Sequence, residues 1–190
     1  FPPPLECEPP LIVMWGECYD PNAIDDDEIF ENIAGEIPEE IGELTGLTDL
    51  DFSDSDLTGE IPEEIGNLTD LEDLDLSGND LSGDLLDDDG NIILPENLTD
   101  LDLSDNSFEG ELPDDFDDIL TLLEDLDLSG NDLSGDLLDD SDGGIILPDD
   151  LENADLSGND FSGEIPDEIG DLDSLINLDL SDNSFEGEFP

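Results

Sequence analysis

From Leu47 onward the apolar positions recur in one phrase: an apolar residue, two variable ones, an apolar residue, Asp, an apolar residue, Ser, and usually Asn two places later. The copies open at Leu47, Leu71, Leu98, Leu123, Leu151 and Leu175, so successive starts lie 24 to 28 residues apart. A unit this short encloses no core of its own. Its leucines leave water only by packing against the same leucines one turn along, and the pattern predicts a coil of stacked turns.

Within each copy the Leu-x-Leu pair sends two side chains inward and the residue between them outward, the period of a short strand. Successive strands are expected to form one parallel sheet along one face. The residues between the leucines, Asp51, Asp75, Asp102, Asp127, Asp155 and Asp179, then make an outward column. Three positions past each pair stand Asn79, Asn106, Asn131, Asn159 and Asn183. A buried amide needs its hydrogen bonds satisfied, so this row is expected to tie each turn's backbone to the next as a structural ladder. Just past that slot, Phe108, Phe161 and Phe185 alternate with Leu57, Leu81 and Leu133 and supply bulk to the wider side of the wedge. Then come Gly59-Glu60-Ile61-Pro62, Gly110-Glu111-Leu112-Pro113 and Gly163-Glu164-Ile165-Pro166. There Gly permits the turn, and Pro limits the next segment to an edge strand or a short irregular helix.

These residues resemble the plant-type leucine-rich repeat family, which also occurs in secreted bacterial and algal proteins. Leu151 to Pro166 follows its pattern almost letter for letter, with Ala154 at the second leucine, and Trp15-Gly16-Glu17-Cys18 is similar to its amino-terminal cap. The resemblance implies an α/β solenoid: a curved right-handed coil with one parallel β-sheet on the concave face and irregular or 3-10 segments on the convex face. It divides the chain into a cap with a degenerate first repeat, 1–34, and a repeat solenoid, 35–190. The activity it implies is recognition of a protein or glycan, not catalysis. Two departures stand out. Residues 23–34 place Asp26 and Glu28 in leucine slots, and the longer units carry related acidic inserts, Gly83 to Gly90 and Gly135 to Gly143, as a duplicated two-turn block does.

Composition changes the picture at the surface. The chain has no Lys, Arg, His or Gln against 61 acids, a formal net charge of -61; an ordinary chain of this length carries about two dozen Lys and Arg. Nothing here neutralises phosphate, so nucleic acid and anionic membranes are excluded as direct partners. The aspartate column puts like charges one strand apart, about 4.8 Å, at a cost of roughly 0.9 kcal/mol per neighbour in bulk water. Such a column asks for cations or high salt, for carboxyls that keep their protons, or for basic side chains at positions written here as acids. Trypsin tests the last reading directly, since it cuts only after Lys and Arg.

Calcium is the one cofactor left open. Asp87, Asp89, Asp140 and Asp142 in the inserts are weak candidate ligands, because the register of an EF-hand would put Leu85 and Leu138 at the first ligand position. A solvated loop is the plainer reading. Catalysis has little to work with: no His or Lys is present as a base near neutral pH, and with so many acids any carboxylate spacing can be matched.

Cys7 and Cys18, the only cysteines, both precede the first clear repeat and are expected to close the cap as a disulfide. Asn67-Leu68-Thr69 and Asn97-Leu98-Thr99 are N-glycosylation acceptors in form. The run Leu11 to Met14 is far too short to span a bilayer. Phe1 at the start suits a processed mature protein, and the last repeat stops at Gly187-Glu188-Phe189-Pro190 without a closing cap. Together these predict a secreted or cell-surface interaction module that assembles head-to-tail through its ends. The alternatives are a polyanionic calcium or mineral binder and, by resemblance, a recognition protein like the polygalacturonase inhibitors.

Overall fold

The computed structural model describes residues 12–19, 33–87, 90–113, 116–137 and 146–190. A cap hairpin pairs β1 (Ile12–Met14) with β2 (Glu17–Tyr19) antiparallel. Behind it the chain winds as a solenoid in which each turn contributes two strands to two parallel sheets. The six-stranded sheet runs β4 (Asp49–Asp51), β6 (Asp73–Asp75), β8 (Asp100–Asp102), β10 (Asp125–Asp127), β12 (Asn153–Asp155) and β14 (Asn177–Asp179), stacked in chain order. The leucines pair in register, Leu74 with Leu50 on one side and Leu101 on the other. Burying Leu74 at 1% and Leu76 at 0% exposure leaves Asp75 between them on the open side.

A second parallel sheet lies beside the first, which the expectation of one sheet did not include. It runs β3 (Ala34–Gly35), β5 (Asp56–Gly59), β7 (Asp80–Gly83), β9 (Ser107–Glu111), β11 (Asp132–Gly135), β13 (Asp160–Glu164) and β15 (Ser184–Glu186). Each strand from β5 to β13 offers one buried apolar residue, Leu57, Leu81, Phe108, Leu133 or Phe161, and leads into a glycine turn. Gly83 shows why that glycine is needed: its φ is +91°, and a Cβ there would sit 2.7 Å from Glu60 Cγ of the turn below.

Past that turn Ile37, Ile61 and Leu112 are buried ahead of the prolines. Pro38, Pro62 and Pro166, with extended backbone, open 3-10 turns at Glu39–Glu43, Glu63–Asn67 and Asp167–Asp171. One turn of α-helix, Phe116–Ile119, takes that place in another unit. The cap covers the first turn through Met14, 1% exposed, and Trp15, whose ring meets Phe52 edge to face at 5.4 Å. Cys18 is disulfide-bonded, and Cys7, its expected partner, lies outside the described residues, as does the divergent segment 23–32.

The asparagines sit between turns. Asn131, 7% exposed, donates from Nδ2 to Leu103 O of the preceding turn at 3.0 Å and to Leu128 O of its own at 3.1 Å, while its Oδ1 accepts from Phe108 N at 3.0 Å. Asn79, Asn106 and Asn159 repeat this set of contacts on their own turns. Asn183 does so with Leu156 O, Leu180 O and Phe161 N.

Candidate functional site

The open face of the six-stranded sheet forms a groove of about 930 Å³. Two columns of side chains line it in register. One is Asp51, Asp75, Asp102, Asp127, Asp155 and Asp179; the other, which the sequence pattern did not single out, is Asp49, Asp73, Asp100, Asp125, Asn153 and Asn177. The second column sits two residues before the first on each strand, so the pleat points both to the same side. The residue just before the second leucine of each phrase was the signal that could have found it.

Serine organises the first column. Asp75 Oδ1 accepts from Ser77 N at 2.9 Å and Ser77 Oγ at 2.6 Å, and Asp51 and Asp102 make the same pair with Ser53 and Ser104. Asp127, Asp155 and Asp179 accept the backbone N–H of Ser129, Ser157 and Ser181 at 2.9 Å. The Ser of each phrase thus fixes the carboxylate that faces the groove, a role not read from the sequence.

These bonds stabilise the ionised form, and the Ser181 side chain and backbone hold the exposed Asp179 below the usual carboxylate range. At Asp102 desolvation outweighs Ser104 and, helped by the charges of Asp127 and Asp75, moves the carboxyl up. In the second column Asp100 is pushed up to about 6, first by desolvation, then by a hydrogen bond with Asp73, then by the charges of Asp125, Asp73 and Glu124. The repulsion expected between neighbouring rungs is therefore eased below about pH 6, where the Asp100 carboxyl takes up a proton. Farther along the column an amide does the same work: Asn153 Nδ2 donates to Asp125 Oδ1, and Asn177 Nδ2 donates to Asn153 Oδ1 at 2.5 Å.

Of the four insert candidates for calcium, Asp87 alone lies among the described residues. Both oxygens of Asp87 accept from Asn91 Nδ2, at 3.1 and 2.9 Å, and Asp87 Oδ1 also takes Asn91 N at 2.8 Å. Asp89, Asp140 and Asp142 lie outside the described residues. Among the described residues no group of three or more metal-ligating side chains converges. No helix among them is long and apolar enough to cross a membrane.

Six segments of the chain, 46–68, 70–92, 97–119, 122–143, 150–172 and 174–190, match the model of the Leucine Rich Repeat family, more than half of the 190 residues. The chain belongs to the plant-type leucine-rich repeat family. Among solved structures this repeat chain is similar to the plant peptide hormone receptor RGFR1 in complex with RGF2, with 36% identity and a TM-score of 0.68 over 83% of this chain and 24% of that one. It is similar also to the ectodomain of the Arabidopsis thaliana receptor kinase GASSHO1/SCHENGEN3 in complex with CASPARIAN STRIP INTEGRITY FACTOR 2: 29% identity, TM-score 0.59, 83% of this chain and 21% of that one. Pollen Receptor Kinase 3 shares 27% identity at a TM-score of 0.67 over 83% of this chain and 72% of its own. The chain thus spans about a quarter of the peptide hormone receptor it matches. Among curated protein sequences none matches significantly. The repeat chain has the fold of extracellular protein-interaction modules.

Proposed function

We propose that this chain is an extracellular recognition module, secreted or displayed at a cell surface, whose groove holds an extended, positively charged segment of a protein partner. The observation that carries the reading is the pair of in-register columns, ten aspartates and two asparagines along one groove. A parallel sheet six strands wide offers a cationic chain laid across it a carboxylate at every rung, and its field steers such a partner toward the groove. RGFR1 and GASSHO1/SCHENGEN3, whose folds this chain shares, are each known in complex with a partner of their own. Recognition fits these features better than catalysis, since the residues lining the groove are carboxylates, amides and aliphatic side chains, with no imidazole, amine or thiol among them. Calorimetric titration of the full chain with a Lys- and Arg-rich extended peptide, against a neutral peptide of equal length, tests the reading. Binding should be confined to the basic peptide, weaken as salt is raised, and drop at least tenfold in the triple variant Asp75→Asn, Asp102→Asn, Asp127→Asn. Equal binding of both peptides, or of neither, overturns it.

A further inference from the structure

Two segments of the chain read Asn-Leu-Thr, yet the fold places them in different slots of the repeat. Asn67 stands four residues before Leu71, at the last position of the 3-10 turn Glu63–Asn67, and both Asn67 and Thr69 are accessible. Neither side chain has a hydrogen-bond partner among the described residues. Asn97 stands one residue before Leu98 and is half-buried; its Nδ2 donates to Thr69 O of the preceding turn at 2.6 Å. Thr99 leans the same way, with Oγ1 donating to Glu72 O at 3.2 Å and its N–H to the same carbonyl at 2.8 Å.

We propose that Asn67 is an attachment site for an N-linked glycan, and that Asn97, spelled the same way, is a structural strut between turns. The co-substrate is a lipid-linked oligosaccharide pyrophosphate. Its anomeric carbon–oxygen bond breaks, with the electron pair leaving on the pyrophosphate, as a bond forms from that carbon to Asn67 Nδ2, which gives up one proton. At Asn67 the new linkage breaks no hydrogen bond among the described residues. At Asn97 the same nitrogen is committed to Thr69, and a bulky substituent there wedges between two turns whose leucines, Leu68 and Leu98, are both fully buried. Asn67 is not among the residues lining the groove, so a glycan there leaves that face open.

The test is secretion of the full chain from a glycosylating eukaryotic host, followed by peptide N-glycosidase in heavy-oxygen water and peptide mapping with a Glu-specific protease. Label is expected at residue 67 alone. Asn67→Gln should be secreted without label and with an unchanged Tm. Asn97→Gln should keep the label at residue 67 and lower the Tm by about 2–4 °C, the effect of one lost hydrogen bond in a chain of this size. Label at residue 97, none at residue 67, or an unchanged Tm in Asn97→Gln overturns the proposal.

Discussion

The amide of Asn131 shows how much one side chain carries here. It satisfies a buried N–H and two carbonyls that belong to two different turns, and a group so buried has little water to take its place. Asn131→Ala is expected to cost about 3 kcal/mol, mostly from the orphaned N–H of Phe108, read as a fall in the urea midpoint at unchanged slope. Asp100 makes a second test. Its folded-state carboxyl is held near 6 against an ordinary 3.8, so between those values the native chain binds a proton that the unfolded chain has lost. Stability therefore falls as pH rises from about 4 to 6 and returns on acidification. Asp102, moved up chiefly by desolvation, acts in the same direction, and Asp179, moved down by Ser181, in the opposite one. Asp100→Asn should raise the Tm at pH 7 and flatten the Tm-against-pH curve over that window. The chain uses this chemistry itself where Asn153 donates to Asp125.

At the scale of elements, the strands of the groove sheet were legible because each lies in a phrase where two apolar residues flank one aspartate, as Leu74 and Leu76 flank Asp75, enough alternation to assign a face. The neighbouring sheet escaped because its strands carry a single apolar residue before a glycine, as in Asp80–Gly83, and one point has no period. The second aspartate column escaped for a related reason: alternation is plain only between the leucines, and Asp73 lies outside that pair. Asp100's proton was beyond sequence altogether, since it depends on Asp73 in register across a strand boundary. The glycine turns that end the second sheet give this scale its prediction. Gly83→Ala is expected to cost about 2 kcal/mol by thermal melting, because φ of +91° strains any Cβ. Crowding against Glu60 is the lesser share, so Gly83→Ala should remain destabilised in a Glu60→Ala background.

For the whole molecule, -61 formal charges with no basic residue mean that every turn repels every other, and the hydrophobic column must hold the coil together against that field. Sodium chloride raised from about 20 mM to 0.5 M should lift the Tm by more than about 5 °C as the screening length shrinks to about 4 Å. A flat response would mean that protons or bound counter-ions have already neutralised most of the face. The asparagine struts give the molecule a mechanical character as well. Because each amide clasps only its own turn and the one before it, a load applied along the coil meets a row of separate latches. Tension on this protein would then be released one latch at a time, letting out chain in near-equal lengths instead of failing in a single rupture.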